Sequence, residues 1–499
     1  MTDPGIVLRG GRVVDPETGL DGIRDVAISA GRITDVGTAL PPAPVDVDVS
    51  GHVVTAGFVD LHSHTNEIPG LRLRAMDGVT TALELEAGFA PVDLAYRQAA
   101  AEGRPLNYGF ATSWALARME IVAGLDLASN FDFLGSLSDP AFQQRASATQ
   151  ISAIVSRLAV DLADGAIGIG FLLGYSPGTD PAEYLQISAL AAEAGAPTFT
   201  HARDLIELAP DALIDGAEEI VRAAAETGAH MHYCHINSTS MRHIDRVLDL
   251  VARAQAAGSR ISTEAYPYGS GMTGIGAAFL APERLHERDL TPADLTYAPT
   301  GEQVGSEERL RELRATDPGG LAIIRQLDED DPADLAVLLR SLTFPDSVVA
   351  SDAMPLTWAQ GVPDRMAWPL PAGAFTHPRT AGTFARALRV LASDGLAAAV
   401  GDGGPLGLAE TLRRSSLLPA QLLEQHVPAM RRKGRVQPGC DADIVVLDPA
   451  TVSDQATYLQ NTRPSTGITH VLVNGTFVVR DGGLVTTVLP GQPVRATPR

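Results

Sequence analysis

Lysine is almost missing from this chain. Of the 38 Lys and Arg residues in 499, Lys433 is the one lysine. Any chemistry that needs a lysine must therefore use Lys433 or be absent. Cysteine is nearly as scarce: Cys234 and Cys440 are the two in the sequence. That number excludes a disulfide framework and fits a reducing compartment, so a cytoplasmic location is expected. Basic charge is in deficit overall, with a net charge of -22. A chain this acidic does not hold nucleic acid or an anionic membrane by general attraction. No apolar run reaches the length of a membrane span. The N-terminus, Met-Thr-Asp-Pro-Gly, lacks a basic region followed by an apolar core, so no signal peptide is expected there.

What is present is ordinary for a globular protein: 45% hydrophobic and 20% charged residues. A chain of 499 residues suits a large catalytic domain with a smaller accessory one. Residues 5–55 alternate in short β-like runs with turns at Gly10-Gly11 and Asp21-Gly22, which predicts a small antiparallel sheet. From Gly57 the rhythm changes. Strands are predicted near 57–62, 79–85, 107–112, 166–171, 197–201, 230–235, 260–265 and 347–351. Helical segments such as 181–194 and 209–227 lie between most of them. Eight strand–helix repeats predict an α/β fold, a closed parallel (β/α)8 barrel.

Residues 280–345 break that rhythm with a charge-rich stretch, read as an insertion over the barrel mouth or a solvated surface excursion. After about 430 the β pattern returns, with a strong hairpin turn at Asn474-Gly475. The two ends are expected to form one small β-sandwich domain. The boundaries that follow are 1–55 and 430–499 for that domain and 56–429 for the barrel. Residues 492–499 read as a tail.

In a parallel barrel the chemistry sits at the C-terminal ends of the strands. The first ends in Asp60-Leu-His62-Ser-His64, and residues two apart on a strand share a face. Two imidazoles so placed can hold one divalent metal, or simply cap a loop. The second strand gives Glu84-Leu-Glu86, the fifth His201-Ala-Arg203-Asp204, the sixth Cys234-His235 and the eighth Ser351-Asp352. A lone His201 or His235 is more often a satisfied buried histidine than a ligand. Five strand ends each delivering a ligand-type residue is far more specific. Glu84 and Glu86 make poor plain core residues, because a buried carboxylate is costly unless paired or metal-bound. Asp352 could instead cap the next helix. His230 and His232 sit earlier on their strand and are read as buried histidines, though either could displace His235 as the ligand.

Along nearly the whole chain these residues fall in recognisable segments. They are Gly57-Phe-Val-Asp-Leu-His-Ser-His, Gly78-Val-Thr-Thr, Asp164-Gly-Ala-Ile-Gly-Ile, Thr200-His-Ala-Arg-Asp, Glu264-Ala-Tyr-Pro-Tyr, Ala350-Ser-Asp352, His377-Pro-Arg379 and Val436-Gln-Pro-Gly-Cys-Asp-Ala-Asp. The pattern resembles the amidohydrolase superfamily and, within it, the D-aminoacylase branch. The resemblance implies that His62 and His64 bind one metal, that His201 and His235 bind a second, and that Asp352 touches the first metal and acts as general base and acid. Zinc, as one or two ions, is the implied cofactor, with another divalent metal as the alternative.

Two departures stand out. D-aminoacylases place a metal-bridging cysteine where this chain has Ala87, and Cys234 and Cys440 lie elsewhere in the sequence. Lys433 falls in the C-terminal β region, so a carboxylated-lysine bridge is excluded unless it reaches across domains. Glu86 is favoured as the bridge over Glu84. The second departure concerns the substrate carboxylate, which the resemblance assigns to a lysine, a tyrosine and an arginine. Here those positions hold Asn237, Tyr266 and Arg379. Arg203 could add a charge, or pair with Asp204.

The implied activity is metal-dependent hydrolysis of a linear amide, N-acyl-D-amino acid deacylation. A cyclic amide or unusual dipeptide is the alternative, and a non-catalytic scaffold a third reading. The expected partner is a small amide-bearing molecule that carries a carboxylate. Neither nucleic acid nor membrane is expected, and self-association is left open.

Overall fold

The computed structural model describes residues 5–127, 131–392 and 406–499. They form two compact units: Met1–Glu84, Tyr96–Gly109 and Val348–Arg495 in the first, and Leu85–Ala95, Phe110–Ser347 and Ala496–Arg499 in the second. One eight-stranded sheet supplies strands to both. In chain order these are Phe58–Asp60, Val79–Phe89, Asn107–Ser113, Ile169–Leu172, Pro197–His201, His230–Tyr233, Ile261–Ala265 and Ser347–Val349. Each is hydrogen-bonded to the next, in the same order as in the sequence. The registered pairs are parallel. Past the ends of the first and last strands, Ser63 and Ala353 form a further parallel bridge. This is the predicted parallel barrel, strand for strand.

The first unit also holds a nine-stranded sheet. Five strands come from residues before the barrel, Ile6–Asp15 to Val53–Ala56, and four from after it, Ile444–Leu447 to Gly483–Leu484. The seam is Val53–Ala56 against Ile444–Leu447, antiparallel. The N-terminal part is not purely antiparallel as predicted: Ile6–Asp15 runs parallel to both Val45–Asp48 and Val53–Ala56. Leu8, Val26, Val54, Ile444 and Leu472 share one buried cluster, so apolar residues from both chain ends build its core. The turn at Asn474-Gly475 has both residues at positive φ, 48° and 73°, the backbone that a two-residue hairpin requires.

Two local expectations are corrected. The helix expected over 209–227 begins at Gly216, because Asp215 caps it by accepting from the N–H groups of Ala217 and Glu218. Residues 492–499 are pinned rather than a tail: Val494 is 1% exposed and its N–H donates to Tyr108 O. The insertion is a folded element. Ser270–Gly274, Leu321–Arg325, Leu295–Tyr297 and Glu302–Gln303 form a four-stranded sheet, and the helix Pro332–Thr343 follows. Among the described residues no helix is long and apolar enough to cross a membrane.

Candidate metal centre

In the first unit, the first barrel strand delivers Asp60, His62 and His64. Asp60 is fully buried and ties this strand end to the last one. Its Oδ1 accepts from the N–H of His62 at 3.2 Å and of Ser351 at 3.0 Å, and its Oδ2 from the Ser351 hydroxyl at 2.5 Å. Arg74, also fully buried, pairs with the same carboxylate. Burial pushes the Asp60 carboxyl up, against the opposing pull of Arg74 and Ser351. The Ala353 N–H donates to His62 O and the His64 N–H to Ala353 O, at 3.2 and 2.7 Å. These bonds fix the backbone from which His62, His64 and Asp352 project.

Their side chains converge. His62 Nε2 and His64 Nε2 are 3.1 Å apart, and Asp352 Oδ1 lies 3.6 Å from the first and 3.4 Å from the second. Ligands about 2.0–2.1 Å from a tetrahedral zinc stand about 3.4 Å from one another. The donor atoms thus already have the spacing of a metal site. Glu84 sits behind His64, with its Oε2 2.9 Å from His64 Nδ1. A carboxylate on Nδ1 sets the tautomer that leaves Nε2 as the ligand atom. Asp352 holds a positive φ of 50°, a costly backbone for a non-glycine residue. Arg379 lies 2.8 Å from its Oδ2.

The second unit carries Glu86, His201 and His235. Glu86 Oε1 is 2.7 Å from His235 Nε2 and 3.2 Å from His201 Nδ1, and the two rings meet edge to face at 4.6 Å. All three residues are buried or nearly so. Glycines make the room. A Cβ on Gly170 would fall 2.2 Å from the carbonyl of Glu86, and one on Gly174 would fall 2.6 Å from His201 Cδ2. Tyr175 packs on the His201 ring at 4.8 Å. One carboxylate and two imidazoles, buried with ligand atoms within 4.8 Å of one another, suit a divalent N/O-binding metal such as zinc.

Of the expected substrate residues, Asn237 and Tyr266 come together in the second unit. Both are 2% exposed, and Asn237 Oδ1 accepts from the Tyr266 N–H at 3.4 Å. Tyr266 also packs against His235, with ring centroids 6.4 Å apart. Arg379, in the first unit, contacts Asp352. Arg203 does not pair with Asp204: it grips Glu219 through Nε and Nη2 at 2.9 and 3.0 Å and is 1% exposed. Asp204 pairs with Arg284 and Arg288 from the insertion. Lys433 is buried against Asp441 and Asp443, at 3.1 and 2.7 Å.

His232 remains a buried histidine, with Nδ1 2.8 Å from Ser262 Oγ and Nε2 3.0 Å from Glu264 Oε2. Sequence reasoning passed over Asp60 and Glu264. The signal for both was present: each is a carboxylate inside an apolar strand, where only a fixed partner makes its burial affordable.

No protein-family model matches the chain. It is similar to the N-acyl-D-glutamate deacylase of Alcaligenes xylosoxydans xylosoxydans, 29% identical over 95% of this chain and 93% of that protein. It is also similar to the D-aminoacylase of the same organism, 27% identical over 94% of this chain and 93% of that one. Among solved structures, it resembles the N-acyl-D-glutamate deacylase of Bordetella bronchiseptica, described as complexed with zinc and a phosphonate inhibitor. There the TM-score is 0.74 at 24% identity, over 99% of this chain and 100% of the other.

Proposed function

We infer, for a chain that belongs to the D-aminoacylase branch of the amidohydrolases, that it is a metal-dependent hydrolase of linear amides that removes the acyl group from N-acyl-D-amino acids. The observation that carries this reading is the pair of preset ligand clusters, His62–His64–Asp352 and Glu86–His201–His235. A small-molecule amide is the substrate class, and zinc the metal that the donor sets fit.

A divalent metal at such ligands supplies Lewis acidity, which polarises an amide carbonyl and brings the pKa of a bound water towards about 7. The chain's own residues do the rest. His62 and His64 offer their Nε2 atoms, the second oriented by Glu84. Glu86, His201 and His235 offer the second donor set. Asp352 accepts the proton of the attacking water and returns it to the leaving nitrogen. Tyr266 and Asn237 orient the substrate, and Arg379 fixes the carboxylate of Asp352.

A panel of N-acyl-D-amino acids, their L-enantiomers, lactams and dipeptides tests the reading on zinc-loaded protein. Release of free D-amino acid supports it. Hydrolysis confined to the lactams or dipeptides would replace it with the cyclic-amide or dipeptide reading, and no turnover of any member would refute it.

A further inference from the structure

We propose that Asp77 is a positioning residue for the reaction: together with Arg74 it clamps the helix Pro378–Leu391 so that Arg379 meets Asp352. The inference rests on the reading above that Asp352 carries the proton. Arg74 and Asp77 lie in the first unit, in the helix Ile68–Ala75 and the turn that follows it. The Asp77 N–H closes that turn on Arg74 O at 3.0 Å. Both residues are 0% exposed, and neither belongs to a ligand cluster.

Their contacts are made to the backbone of the helix. Arg74 Nη1 donates to Thr380 O at 3.2 Å. Asp77 Oδ2 accepts from the Phe384 N–H at 2.8 Å, and its Oδ1 from the Ala385 N–H at 3.1 Å. Thr380 and Phe384 are four residues apart, so this carbonyl and this N–H are the two halves of one ordinary helical bond. A cation is set on the acceptor and an anion on the donor of the same bond. The helix can then neither slide nor turn without breaking both contacts. The Ser465 hydroxyl, 2.7 Å from Asp77 Oδ1, holds the carboxylate in place. Arg74 also pairs with Asp60, and Phe384 stacks on Phe58 with ring centroids 5.1 Å apart. The helix is thereby registered on the strand that leads to His62 and His64. From its first turn Arg379 reaches Asp352, and Thr380 Oγ1 accepts from the Met354 N–H at 2.9 Å. Burial pushes the Asp77 carboxyl up to about 7, against the opposing pulls of Arg74, Ser465 and the two N–H groups. A buried ion pair adds little net stability over apolar packing, so stability alone does not account for a carboxylate here. Placement does, because a shift of about 1 Å at a reacting group costs about 10²-fold in rate.

The test is a double-mutant cycle on the zinc-loaded full chain, with the N-acyl-D-amino acid it hydrolyses fastest as substrate. Rates per bound zinc are measured for wild type, Asp77→Asn, Arg379→Gln and the double variant. The new amide sets a donor against a helix N–H. Asp77→Asn should lower kcat about 10–100-fold and leave KM within about twofold of wild type. In the Arg379→Gln background the same substitution should change kcat by less than about twofold, because Asp77 acts through Arg379. A merely structural role lowers the active fraction equally in both backgrounds. Equal fold-loss in the two would therefore overturn the proposal, as would wild-type kcat in Asp77→Asn. Should Asp77→Asn fail to fold, Ser465→Ala takes its place: a smaller loss that Arg379→Gln masks supports the clamp, and an unmasked or absent loss overturns it. Crystal structures of the same variants separate the clamp from the functional reading. If the wild type turns over no substrate, the functional reading fails, and the clamp stands only if Arg379 has moved beyond about 3.5 Å from the Asp352 carboxylate in the variant. A contact kept at the 2.8 Å of the wild type would overturn it.

Discussion

Arg379 holds Asp352 at both ends: its Nη2 lies 2.8 Å from Asp352 Oδ2, and its Nε donates to the Asp352 carbonyl at 2.6 Å. One guanidinium thus fixes the side chain and the left-handed backbone of the proposed proton carrier together. Asp352→Asn keeps the shape and removes the basicity. Turnover should fall by about 10²–10⁴-fold, the range in which a positioned general base contributes. Cobalt or zinc content and circular dichroism should stay as in wild type. A variant with more than a tenth of wild-type kcat would rule out the assigned role.

Glu84 and Glu86 stand two residues apart on one strand yet serve different histidines. Glu86 contacts His201 and His235, whereas Glu84 backs His64 on Nδ1. Metal per chain on purified protein separates them. Glu86→Ala should lose one metal equivalent. Glu84→Ala should retain metal but bind it about 10–100-fold more weakly, as is usual when a carboxylate behind a metal-binding histidine is removed. Equal stoichiometric loss in both variants would contradict this division of labour.

The barrel was legible because its strands are short apolar runs at regular spacing, and the ligand residues because each ends such a run. Burial of His62, Glu86 and His235 follows from those positions. What periodicity could not reveal is pairing between distant residues. Arg203 and Glu219 are separated by a loop and the first turn of a helix, so local sequence offers only a free charge or a pair with Asp204 for Arg203. Cys234 lies elsewhere in the sequence than the bridging position, and its approach to Glu86 in the fold leaves no mark in composition or period. The start of the helix at Gly216 was missed for the opposite reason: Ala- and Leu-rich residues before it fit a helical pattern, but Asp215 caps the helix later.

The buried Asp60–Arg74 pair makes a stability prediction independent of metal. Asp60→Asn removes the charge that neutralises Arg74, which is 0% exposed, while the amide keeps one acceptor for the Ser351 N–H. Breaking one partner of a buried pair costs about 3–5 kcal/mol. Urea unfolding of metal-free protein should show that loss as a lower midpoint at unchanged slope. A change below about 1 kcal/mol would mean that Arg74 finds another partner.

His230 offers a pH test away from the ligand clusters. Burial, and then the neighbouring His232 and Arg260, push its imidazole down to about 3, from an ordinary value of 6.5. Between those two values the unfolded chain takes up a proton that the folded chain refuses. The contribution of His230 to stability is therefore fully present above about pH 6.5 and is lost as pH falls towards 3, by at most about 1.4 kcal/mol per unit. His230→Gln can keep the contact with Ser262 Oγ, which lies 2.9 Å from His230 Nε2, and cannot titrate. The difference in unfolding free energy between variant and wild type subtracts everything common to both, including metal release. It should grow in favour of the variant at each step from about pH 6.5 down to the onset of acid unfolding. A difference that stays constant over that range would show that His230 protonates as readily in the folded chain as in the unfolded one, and that Ser262 and its surroundings accommodate the charge.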